Sequence, residues 1–206
     1  MKGTYKNTID FDFGGVSFQN QILTERVKVE NKIVKKLNKH NFKRSHKIES
    51  DIETIKDLIT ELDNFESINL ISKKFDSPNI IIALLERIKN IYIATWAITP
   101  AGINALVEIV NSGTVNEAYL LLDKTHSYKW IFQSTAYEIL KGKVKIRFCA
   151  NHSKFICIEH ENGYLNFSGS MNFSNNPRFE NINIDKDKET FDFYKTFVKT
   201  VSAETL

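Results

Sequence analysis

The chain reads as an α/β protein, a layered sheet with covering helices, preceded by an N-terminal helical region. Two features of patterning lead there. Beyond Ser77-Pro78, short apolar runs alternate with segments of helical spacing. Ahead of that point, the apolar residues that stand out recur at helical spacing. A hydrophobic share of 42% supplies the core that such a sheet needs, and it excludes a disordered chain. The change of texture divides the sequence into residues 1–76, expected to serve oligomerisation or partner binding, and residues 77–206.

Residues 1–20 alternate weakly through Ile9, Phe11 and Phe13 to Gly14-Gly15, as a short strand or a docking arm would. Helices are predicted from Gln21 to about Lys39 and from His46 to about Phe65. Ile52, Ile55, Ile59 and Leu62 form the clearest stripe. Next come a helix over Asn79–Lys89, a buried strand over Ile91–Ile98, and a helix from Pro100 to Asn111 stopped by Ser112-Gly113. A strand over Ala118–Leu122 and a helix over Trp130–Leu140 follow. Val144, Ile146 and Phe148 then alternate as a strand. Phe155–Glu159 and Tyr164–Phe167 flank Glu161-Asn-Gly163 and predict a hairpin. One more strand over Glu180–Ile184 and a helix over Glu189–Val201 close the chain.

Charge is uneven although the net value is only +3. Arg26–Lys47 holds nine Lys and Arg against Glu30, and Glu49–Glu66 holds seven acids against Lys56. The basic block suits either a phosphate backbone or a solvated helix face. No apolar run reaches the eighteen or so residues of a membrane span, and the start lacks the apolar stretch of a signal peptide. A cytoplasmic protein without stable membrane insertion is expected. Cys149 and Cys157 lie in strand-like runs and read as reduced core residues. His40 and His46 lack neighbours that suggest a metal.

The chemistry gathers in about thirty positions: Asn151-His-Ser-Lys154, Ser168-Gly-Ser-Met-Asn172 and Arg178-Phe-Glu-Asn181. His152 and Lys154 are two apart beside a strand, so both side chains share one face and can converge on one anion. Ser170 and Asn172 stand in the same relation, just after a glycine that permits close backbone approach. Lysine supplies charge, and Ser and Asn supply neutral donors, to the oxygens of a phosphoryl group. His152 remains as nucleophile or proton carrier. Glu180 is the candidate carboxylate for fixing its tautomer. Trp96, with Thr95 and Thr99, ends a predicted strand, a position suited to core packing or to stacking on a ligand.

These residues resemble the HKD motif of the phospholipase D superfamily: His-x-Lys, four residues, Asp, six residues, Gly-Ser-x-Asn. Here it runs His152-Ser-Lys154, Phe155–Ile158, Glu159, a longer hairpin, and Gly169-Ser-Met-Asn172. Phe179-Glu180-Asn181 is similar to the Ser-Glu-Asn tail of small bacterial nucleases in that superfamily. Glu replaces the usual Asp at 159, and nine residues separate it from Gly169, which points to a divergent branch. The resemblance covers roughly Pro78–Val201. It implies a layered α-β-α sandwich with a mixed sheet and a two-step reaction that needs neither metal nor cofactor. His152 would form a phosphohistidine, Lys154, Ser170 and Asn172 would bind the phosphate, and Glu180 would orient the histidine.

Such chemistry requires a second histidine as general acid. His126-Ser-Tyr-Lys129 has the wrong spacing and no Gly-Ser-x-Asn behind it, so the resemblance implies a homodimer with one shared site. Single-motif members are chiefly nucleases, so a phosphodiesterase acting on DNA or RNA is the leading expectation. The alternatives are a phospholipid headgroup hydrolase or transferase, and a binding module that has lost turnover. In the last case the N-terminal helices would recruit a protein or nucleic-acid partner.

Overall fold

The computed structural model describes residues 44–48, 54–61, 63–125, 135–175 and 177–205. The expectations for residues 1–43, and for His126–Lys129, lie outside these. The described part belongs to one compact unit built on a mixed sheet, nine-stranded among the described residues. In chain order the elements are β1 (Arg44–Ile48), α1 (Ile55–Glu61), β2 (Ser67–Ser72), α2 (Ser77–Leu84), β3 (Ile88–Thr95), α3 (Pro100–Ser112) and β4 (Glu117–Asp123). They continue with α4 (Thr135–Leu140), β5 (Val144–Cys149), β6 (Phe155–His160), β7 (Gly163–Gly169), β8 (Glu180–Asp185), α5 (Lys188–Thr200) and β9 (Glu204–Thr205).

The strand order is β1-β2-β8-β7-β6-β3-β4-β5-β9. Strands β3, β4 and β5 are parallel neighbours, with α3 and α4 in their crossovers. The middle, from β3 through β6, β7 and β8 to β2, is antiparallel throughout. Alternation along the strands feeds two apolar layers. Ile91 and Ile93 of β3, Leu120 and Leu122 of β4, and Ile156 and Ile158 of β6 join α2 and α3 on one face. Tyr92 and Ala94, Tyr119 and Leu121, and Phe155 and Cys157 face α5 on the other. Helix α5 is anchored there by the buried Phe191 and Val198. Burying a side chain of this kind contributes roughly 1.5–3 kcal/mol.

Helix ends follow local chemistry. Thr54 and Asp57 form a reciprocal box ahead of α1, each side chain accepting from the other's backbone N–H. Asp76 accepts from Asn79 N at 2.9 Å to start α2, and Asp187 accepts from Thr190 N at 2.8 Å to start α5. Gly113 closes α3 with φ 68°. Among the described residues, no helix is long and apolar enough to cross a membrane. Cys149 and Cys157 are free, and burial pushes the Cys157 thiol pKa strongly upward.

One expectation needs correction. Among the described residues, the helix predicted from His46 to about Phe65 is present only as α1, and β1 and β2 flank it as strands of the main sheet. One compact unit, Phe42–Leu206, takes in β1, α1 and β2 together with the later elements. The physical reason is partnership: Ile68 and Leu70 of β2 are buried against β8, more than a hundred residues away. Pairing at that range overrides local spacing.

Candidate active site

Strands β3, β4 and β5 end together at Thr95, Asp123 and Cys149, and the loops beyond such carboxyl ends are where open α/β sheets present polar residues. The antiparallel neighbours bring their own ends to the same edge. Ala94 pairs with Phe155 at the start of β6, Phe155 with Ser168 near the end of β7, and Gly169 with Ile182 near the start of β8. Sheet pairing therefore gathers His152, Lys154, Ser170, Asn172 and Glu180 at one edge, from three separate stretches of chain.

His152 is exposed. The Lys154 ammonium lies 3.4 Å from each of its ring nitrogens and donates to its carbonyl at 2.9 Å. Trp96, in the loop after β3, is the third member: its ring centroid is 5.4 Å from that of His152, and Lys154 Nζ is 5.9 Å from the Trp96 ring. Burial lowers the Lys154 pKa below the usual 10.5, and the Glu180 charge offsets part of that shift. An ammonium and an imidazole this close repel when both are charged, and an anion between them relieves the repulsion.

Gly169 explains how the second half of the motif reaches this place. Its φ is 149°, and a Cβ there would lie 1.9 Å from the Asn181 carbonyl oxygen. Only glycine lets β7 pass β8 this closely and turn. Ser170 N then donates to the same Asn181 oxygen at 3.0 Å, and Gly169 N donates to Lys154 O at 3.3 Å. The Ser170 hydroxyl donates to Glu180 Oε2 and accepts from Asn181 N at 3.0 Å. Asn172 is half-buried, with its backbone carbonyl held by Ser77 Oγ at 3.0 Å. Its Oδ1 is buried without a hydrogen-bond partner.

Glu180 was assigned to the histidine from sequence. Here its carboxylate accepts the Ser170 hydroxyl, and its charge acts on Lys154. Glu159, standing where the motif has Asp, lies at the far end of β6 and accepts from Asn90 Nδ2 of β3 at 2.8 Å. It ties two strands together and lies at the end of β6 away from Lys154.

Three supporting residues have no bonding role in the sequence reading, although Thr95 stands at a predicted strand end and Asn151 beside His152. Asn151 is 4% exposed and locks the loop that carries His152. Its Nδ2 donates to Thr95 O at 3.1 Å, its Oδ1 accepts from Ser153 N at 3.0 Å, and its own N–H reaches Asp123 Oδ2 at 2.9 Å. Thr95 Oγ1 accepts from Phe173 N at 2.8 Å, which pins the chain just after Asn172. Thr95, Asp123 and Asn151 thus join the ends of the parallel strands to both halves of the motif. Their only signal in sequence was position, as polar residues at the ends of apolar runs.

No known family profile matches the chain, and no curated protein matches it. Among solved structures it is similar to polyphosphate kinase from Porphyromonas gingivalis, with a TM-score of 0.53 and 10% identity over 68% of this chain. The chain spans about a quarter of that enzyme, 26% of its length. It is also similar to TrmBL2, an archaeal chromatin protein, with a TM-score of 0.49 and 17% identity, covering 91% of this chain and 68% of that one. At 10% identity the likeness to the kinase is one of fold alone.

Proposed function

We propose that the chain is a phospholipase D-like phosphodiesterase, most simply a nuclease, that works without a metal through a phosphohistidine at a site shared by two copies. The observation that carries this reading is the meeting of His152 and Lys154 at 3.4 Å, on the sheet edge that also holds Ser170, Asn172 and Glu180. In the first step a ring nitrogen of His152 bonds to phosphorus as the bond to the leaving oxygen breaks. Lys154 and Asn172 hold the non-bridging oxygens, where charge builds up in the transition state, and Ser170 joins them as its hydroxyl proton turns from Glu180 to the phosphate. The leaving oxygen takes a proton from the partner's His152. Water then gives a proton back to that histidine, attacks phosphorus and frees the first.

Glu180 serves the site in two ways. It holds Ser170 in place and balances the Lys154 charge, and the tautomer of His152 is assigned to the same carboxylate. Nucleic acid is the preferred substrate. The test incubates purified protein with plasmid, single strands and a generic phosphodiester in EDTA, beside His152→Ala. Cleavage in EDTA that disappears in His152→Ala is expected. Cleavage that requires added magnesium, or that survives loss of His152, would overturn the mechanism. A well-folded dimer that cleaves none of the three would favour a binding module instead.

A further inference from the structure

Two aromatic side chains stand on either side of the phosphate-facing groups. Trp96 follows β3, and Phe179 precedes β8 by one residue. Strands β6 and β7 lie between β3 and β8, so the two positions are three strand spacings apart, about 14 Å. His152, Lys154, Ser170 and Asn172 occupy the interval. Phe179 is 65% exposed, although a phenyl ring gains most by burial. Lys73 Nζ lies 5.4 Å from its centroid, and the exposed Lys74 and Arg178 add positive charge on that side. On the other side Trp96 is half-buried, with Lys154 near its ring.

A lone exposed phenylalanine carries no meaning by itself. Here a second ring, a cation beside each ring and a candidate phosphate cradle accompany it. Cations that follow a backbone and aromatic faces that accept bases are together the requirements of single-stranded nucleic-acid binding. A duplex satisfies only the first, because its bases remain paired and stacked on one another. A phospholipid would supply one phosphate but no second flat group across the cradle.

We propose that Phe179 and Trp96 are stacking platforms for the two nucleotides flanking the bound phosphate, and that they make the site select single-stranded DNA or RNA over duplex. That the phosphate is the scissile one rests on the phosphodiesterase reading, whereas the stacking is read by binding alone.

The experiment measures binding in the His152→Ala protein, with and without Phe179→Ala or Phe179→Tyr. The probes are a short labelled oligothymidine, an abasic strand of equal length and the matching duplex, and the readout is fluorescence anisotropy. Phe179→Ala is expected to weaken oligothymidine binding about 5- to 100-fold, Phe179→Tyr to keep it, and the abasic strand to be insensitive to either. Equal loss on the abasic strand, or duplex bound as tightly as oligothymidine, would overturn the proposal. So would Phe179→Ala converting a dimer to a monomer in sizing, which would assign the ring to a subunit contact. Phe179-dependent strand binding by a protein that never cleaves would sustain the platform and remove the catalytic reading, so the two failures are distinct.

Discussion

At Lys154, burial acts against the charge that the proposed phosphate binding needs. The ammonium is partly removed from water, which lowers its pKa below 10.5, and the Glu180 carboxylate makes up part of the loss. Because the folded chain holds this proton less tightly than the unfolded chain, the charged lysine costs stability at neutral pH. That cost is relieved as pH rises through the lowered pKa. Lys154→Met should therefore raise the urea midpoint while abolishing turnover, an exchange of stability for function. Turnover carries the same sign: KM should climb with pH starting below the ordinary lysine value. Lys154→Arg, which stays charged, should move that rise to higher pH. A KM flat to the ordinary value in the parent protein, or a lower urea midpoint in Lys154→Met, would contradict this account.

Among the elements, α5 shows how short-range signals and long-range packing share the work. Its start is set by Asp187, whose carboxylate accepts from Thr190 N, and its inner face by Phe191 and Val198. Lys199, in the last turn, reaches across to Glu117 of β4 at 2.8 Å. Asp187→Ala should cost about 1 kcal/mol in urea unfolding, with the slope of the transition unchanged. No change in midpoint would mean that packing alone fixes the helix. This helix, α3 with its closing Gly113, and strands β3 to β8 were legible in the sequence because each carries its own period or stop signal. Strands β1 and β2 were not. Arg44–Ile48 has no apolar alternation, and Ser67–Ser72 becomes a strand through β8, a partner that no local window contains. The site divides in the same way. His152 with Lys154, and Ser170 with Asn172, stood out in the sequence by their spacing, and Glu180 as a nearby carboxylate. Asn151, Asp123 and Thr95 matter only once three parallel strands end in register.

For the whole molecule, stoichiometry decides the reading. One copy of the motif supplies one histidine at the sheet edge, and a two-step displacement needs a second group to protonate the leaving oxygen. If that group is the same residue on a second copy, the two-fold axis passes beside the site and the interface should bury more than about 1,000 Å² in total. Activity then belongs to the pair. When parent and His152→Ala chains are co-expressed and assemble at random, only dimers with both histidines turn over. Specific activity should fall as the square of the parent fraction, whereas independent sites would make it fall in direct proportion. A linear decline, or a monomer in sizing at working concentration, would mean that the proton comes from within one chain. The exposed edge that holds His152, Trp96 and Phe179 must also leave room for substrate once the copies meet. The squared dependence should therefore persist in Phe179→Ala, with KM for single strands raised and the reaction order in chains unchanged.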